Sequence, residues 1–224
     1  AEVTIDGSVG PLSGMADLMI DGTTLDLQVG QDVADRVLAG VGSARINIRR
    51  DESGTTLREA RIVTSGANIE AAGKITSDET TLRFGGEIRR FDQLYPGEAD
   101  GRADVSGTVA LRGNALQQFE LSADVSNQSQ PVRLPFAGGI TFDTAVVEVL
   151  ARGGAQGSWT AQINSDDVQS SILSADLLAL SGAGVLEQAE TGGLVSIGGE
   201  LSASGNDLRM ADPRLARALG QEPS

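Results

Sequence analysis

The imidazole and thiol groups that most often serve as base, nucleophile or soft metal ligand are missing from this chain. It contains no histidine and no cysteine. Ser-His and Cys-His nucleophiles and the usual zinc sites are therefore out of reach, as are disulfides and thiolate chemistry. A Ser-Lys dyad would need Lys74, which stands in a glycine-bounded alternating stretch and is expected at the surface. The 31 acidic residues offer many carboxylates but no pair singled out for glycosidase chemistry. Asn164-Ser165-Asp166-Asp167 is too sparse for a calcium loop. Gly182-Ala183-Gly184 lacks the third glycine and the following helix of a nucleotide fingerprint. Asn127-Gln128-Ser129 fits a glycosylation sequon, a pattern that arises by chance. No catalytic residue, cofactor or metal is expected, and the chain reads as a non-enzyme.

The elements that would position any site are extended. Leu25-Asp26-Leu27-Gln28-Val29 alternates apolar and polar residues, as does Phe119-Glu120-Leu121-Ser122-Ala123-Asp124-Val125, and a period of two gives a strand one apolar and one wet face. Strands are expected near Val3–Ile5, Met15–Ile20, Leu25–Val29, Ala44–Arg49, Leu57–Thr64, Ala67–Ile75, Thr81–Ile88, Val105–Leu111 and Phe119–Val125. Asp21-Gly22-Thr23 reads as a turn between the second and third of these. Pro131 and Pro135 should confine the strand between them to a short or edge position. Over Ile140–Leu150 the apolar phase shifts near Asp143-Thr144, which predicts a bulge. Trp159–Ile163, Ile172–Leu180, Val195–Ala203 and Leu208–Met210 complete the set. Two short helices interrupt it. One lies near 32–41, with Asp32 as a cap and Val33, Val37 and Val41 four apart. The other covers 212–220, with Asp212 as N-cap, Pro213 at the first helical position and Gly220 closing it. The class is all-β, a long curled, mainly antiparallel sheet.

Composition fits that class. Aromatics are 3% of the chain, so the apolar load falls on aliphatic residues, and 29 glycines supply turns, bulges and bends. The net charge of −14 argues against nucleic acid as a partner. No apolar run approaches the length of a membrane span.

The helix phrase Asp212-Pro213-Arg214-Leu215-Ala216-Arg217-Ala218-Leu219-Gly220, set among glycine-bounded alternating segments such as Gly101-Arg102-Ala103-Asp104-Val105-Ser106-Gly107-Thr108-Val109, resembles the TamB family. TamB proteins are the inner-membrane-anchored subunits of the translocation and assembly module, within the AsmA-like group. The resemblance implies a β-groove crossing the periplasm, apolar on its concave wall. It implies a part in outer-membrane biogenesis, as a conduit for phospholipid or in assembly and secretion of outer-membrane proteins. The implied partners are phospholipid acyl chains or outer-membrane protein clients, with an Omp85-type outer-membrane partner docking outside this segment. On this reading residues 1–30 end one groove section, 31–211 form one module and 212–224 begin the next, the whole being periplasmic and a portion of a longer protein. The expected lining is Leu25, Leu27, Val29, Ile46, Ile48, Ile69, Val105, Val109, Leu111, Phe119, Leu121, Val125, Trp159, Ile163, Val195, Ile197 and Leu201. The same aliphatic faces would equally serve as the dry core of a closed sandwich in a structural or adhesive module. An outer-membrane barrel fits less well, because seven aromatics are too few for its girdles.

Overall fold

The computed structural model describes residues 3–9, 14–28, 30, 32–128, 130–136, 139–154, 156–188 and 194–211. Fifteen strands form one antiparallel sheet. They are β1 (Val3–Val9), β2 (Ala16–Leu25), β3 (Val41–Asp51), β4 (Gly54–Val63), β5 (Ala67–Ile75), β6 (Glu79–Ile88), β7 (Arg102–Arg112), β8 (Ala115–Ser126), β9 (Val132–Leu134), β10 (Ile140–Phe142), β11 (Thr144–Arg152), β12 (Gly157–Gln169), β13 (Leu173–Gln188), β14 (Leu194–Asn206) and β15 (Arg209–Met210). Strands β1 to β8 lie side by side in chain order, followed by β11, β12, β13 and β14. Twelve strands at about 4.8 Å spacing span ~53 Å. The sheet stays open, because among the described residues β1 pairs only with β2 and β14 only with β13.

Long-range pairing overrides two local expectations. The Asp21-Gly22-Thr23 turn does not form, and β2 runs straight through it. Gly22 faces Val3 on one side and Ala44 on the other, and the Arg45 guanidinium holds the Asp21 carboxylate at 2.7 Å. With both neighbours already paired, the extended form satisfies more backbone groups than a turn would. The separate strand expected over Leu25–Val29 is absent for a related reason. Asp26 takes a left-handed φ of 50°, its amide donates to the Gly40 carbonyl at 3.0 Å, and its carboxylate accepts the Gly40 amide at 2.8 Å. That clasp closes the loop holding α1 (Asp32–Val37), a six-residue helix shorter than the expected 32–41, since β3 claims the chain from Val41. The segment 212–220 lies outside the described residues. The sheet is continuous past residue 31, with β2 and β3 paired along the whole of β2.

In an antiparallel meander alternate connections fall at the same end of the strands, so one rim collects the longer ones. Here α1, the Thr64–Gly66 turn and the 3-10 turn Phe91–Gln93 are tied together. Thr64 Oγ1 donates to the Val37 carbonyl at 3.1 Å and accepts the Gly66 and Ala67 amides at 3.2 and 3.0 Å. Arg36 donates to the Leu94 carbonyl at 2.9 Å. Further along this rim, β9 continues the line of β8 and β10 that of β11. Asp143 breaks β10 from β11, while its amide still donates to the Asp166 carbonyl at 3.0 Å. The phase shift over Ile140–Leu150 is this break: Phe142 before it and Ala145 after it are both buried. Pro131 and Pro135 flank a strand of only three residues. The bent flap of β9 and β10 brings Val132 and Phe142 into one cluster with Phe91, Ala99, Ala103, Ala145, Val168, Ala175 and Leu178.

Candidate functional site: an apolar sheet face

Cross-strand pairs in an antiparallel sheet share a face, so the register can be followed from edge to edge. One row reads Ile5, Ile20, Ile46, Ala60, Ala71, Phe84, Gly107, Leu121, Val149, Ala161, Gly182, Leu201. Two residues along, the row is Val3, Gly22, Ala44, Ile62, Ile69, Gly86, Val105, Ala123, Val147, Ile163, Leu180, Ala203. Two residues the other way it is Gly7, Leu18, Ile48, Leu57, Gly73, Leu82, Val109, Phe119, Ala151, Trp159, Gly184, Gly199. All three rows are aliphatic, aromatic or glycine throughout. The row between the first two, on the other face, reads Thr4, Asp21, Arg45, Arg61, Glu70, Gly85, Ser106, Ser122, Glu148, Gln162, Ser181, Ser202.

A fully packed core would bury the middle of such a face. Here Ile20, Ile46, Phe84, Leu121 and Val149 are only partly buried, Ala123 and Ala151 of the same rows are buried, and Leu201 and Ile5 near the two edges are 83% and 65% exposed. The buried cluster is confined to the rim, where β9, β10 and the Phe91 turn fold over.

Glycine takes part in shaping this face. A Cβ on Gly107 would lie 2.5 Å from Cζ of Phe84, so the absence of a side chain lets that ring lie flat and reach Phe119, 6.5 Å away between centroids and stacked. Trp159 uses the same device across two strands. Its Nε1 donates to the Gly198 carbonyl of β14 at 3.0 Å, and a Cβ on Gly182 or Gly199 would come within 2.8 Å of the indole. The ring therefore spans the glycines of β13.

Of the expected lining residues, Ile46, Ile48, Ile69, Val105, Val109, Phe119, Leu121, Trp159, Ile163 and Leu201 occupy these three rows. Leu111 and Ile197 continue the alternation of the same face, and Val125 does so where it packs on the rim cluster. Leu25 is a correction: it shares a parity with Asp21 and Thr23 along an unbroken β2, pairs with Val41 and is exposed on the polar face. Leu27 follows the end of β2 rather than lying in a strand. Val29 lies outside the described residues. Val195 falls at the register shift between Glu187 and Gln188, and its side chain lies outside the description. Leu18, Ile20, Leu57, Ile62, Leu82, Phe84 and Val149 join the face although they were not singled out from sequence. The same alternation marks them, but only the register aligns their phase with that of their neighbours.

Ionic features lie on the polar face and at the rim. Arg58 of β4 reaches across β3 to Asp17 of β2 at 2.9 Å. Hydrogen bonds from the Ser53 hydroxyl and amide hold the Asp51 carboxyl below its usual range. The Arg90 guanidinium does the same for Asp92. Asp166, Asp167, Glu98 and Asp104 are exposed. Among the described residues no group of three or more acidic side chains gathers as a metal site, and no helix is long and apolar enough to cross a membrane. No protein-family model matches the chain, and no curated protein or solved structure is significantly similar to it.

Proposed function

We propose that this chain is a section of a hydrophobic β-groove of the TamB type, serving outer-membrane biogenesis as a conduit for phospholipid acyl chains or for nascent outer-membrane polypeptide. In this reading it is the periplasmic portion of an inner-membrane-anchored protein, and an Omp85-type partner docks elsewhere. The groove wall is the apolar face, and the chain has no catalytic role. The observation that carries the reading is the run of three apolar rows across twelve strands, its larger side chains only partly buried between the edges. Moving a two-chain lipid through water exposes roughly 30 methylenes at about 0.8 kcal/mol each, ~25 kcal/mol gross. A continuous aliphatic wall removes most of that cost while offering no polar contact that would trap the passenger. The flap at the rim also packs on this side, with Val132 and Phe142 buried against Ala103, Ala145 and Leu178.

Site-specific photocrosslinking tests the assignment. A photoreactive residue at Val109 or Leu121 is expected to capture lipid or an outer-membrane client in cells, while one at Ser106 or Glu148 on the opposite face captures neither. Equal capture from both faces, or capture only from the polar one, overturns the proposal.

A further inference from the structure

The rim carries a second site of different chemistry. A cleft of about 660 Å³ opens between the 97–101 loop and Asn127-Gln128, with Arg89, Arg90, Arg102 and Arg133 in its walls. Two of these guanidiniums are neutralised locally. Arg89 pairs with Glu87 at 3.1 Å, and Arg90 is held in a two-point contact by Asp92. The other two are held by neutral oxygens, Arg102 Nε reaching Ser126 Oγ at 3.5 Å and Arg133 Nη2 the Gly97 carbonyl at 3.3 Å, with Asp100 directly across the bridge from Arg133. Neither belongs to any of the ion pairs among the described residues. Their separation is fixed by backbone, because Asp100 and Arg133 exchange both amide-to-carbonyl bonds at 2.9 and 2.8 Å. That bridge anchors β9 to the residues leading into β7.

We infer that Arg102 and Arg133 form a recognition site for a phosphate-type anion, a phosphomonoester or phosphodiester. Guanidinium forks match phosphate oxygens with paired donors, and Asn127 and Gln128 add amide donors to the same cleft. With four arginines against Glu87, Asp92 and Asp100, the lining carries 4 − 3 = +1 in a chain of net −14. The cleft has room for a phosphate together with its substituent. The anion can be free in solution or the headgroup of a lipid, and the inference stands on the cleft alone, independently of the groove proposed above.

Isothermal titration of the 224-residue chain with glycerol 3-phosphate, and flotation with vesicles of phosphatidylglycerol or of phosphatidylcholine, separate the two sources. Binding of the soluble ester, weakened at least tenfold by Arg102→Gln and by Arg133→Gln but not by Arg45→Gln, supports a phosphate site open to solutes. Vesicle binding lost in the same two variants, without binding of the ester, supports a headgroup site. Circular dichroism confirms that each variant keeps its sheet. No binding in either arm, or binding indifferent to both substitutions, overturns the inference. Failure of photocrosslinking at Val109 and Leu121 would leave this result untouched, so the two proposals fail separately.

Discussion

Trp159 is the chain's one tryptophan, and it sits on the apolar face with its Nε1 tied to Gly198 across an intervening strand. Its position depends on what its neighbours lack. At Gly182 an added Cβ would meet Leu201 Cδ2 at 2.7 Å and the indole at 2.8 Å, separations that real side chains do not tolerate. Gly182→Ala is therefore expected to lift the ring and break its hydrogen bond, shifting the emission maximum to the red and costing about 1–3 kcal/mol. An unchanged spectrum would show that the ring is not seated on the glycines. Fluorescence follows this residue without any label. A glycine followed by an alternating stretch is readable in sequence as a strand position. Which aromatic ring uses the vacant space is not, because Trp159 reaches its acceptor through β13.

At the scale of elements, alternation predicts strands well and connections poorly. Asp21-Gly22 has the composition of a hairpin turn, yet β1 and β3 on either side hold it extended. Arg112-Gly113-Asn114 does turn, with Gly113 at φ 57°, because no partner strand continues past it. The same contrast explains Leu25: its own segment alternates faultlessly, but β2 carries the phase of Ile20 and Leu18, which sets Leu25 opposite them. Thr64 is the hub that joins the rim elements, with one hydroxyl serving α1 and the next strand. Thr64→Val keeps the shape but leaves two buried amides and a carbonyl without that partner. The expected loss is about 1–3 kcal/mol, seen in urea unfolding as a lower midpoint with an unchanged slope. A midpoint equal to that of the wild-type chain would mean that water or a neighbouring group replaces the hydroxyl.

For the whole molecule, charge and sheet geometry set behaviour together. With no histidine, no side chain has its unperturbed titration between pH 5 and 8, so thermal stability is expected to stay flat across that range. Asp51 and Asp92 have folded pKa values below their usual carboxyl range. Their contribution is present above the unfolded value, near 3.9, and is lost as pH falls through the lower folded value. Unfolding should therefore begin only in acid, as a melting temperature that drops below about pH 4; a transition centred near pH 6.5 would contradict this. The sequence by itself determined the strand-rich class, the two-faced chemistry of each segment and the exclusion of histidine and cysteine catalysis. These are properties of residue type and of a period of two within a single strand. Only the tertiary structure decided which phases line up across twelve strands, that the rim folds onto the apolar side, and that Arg102 and Arg133 share one cleft. Register and the meeting of distant residues depend on backbone pairing between segments far apart in the chain, and local periodicity carries no record of it.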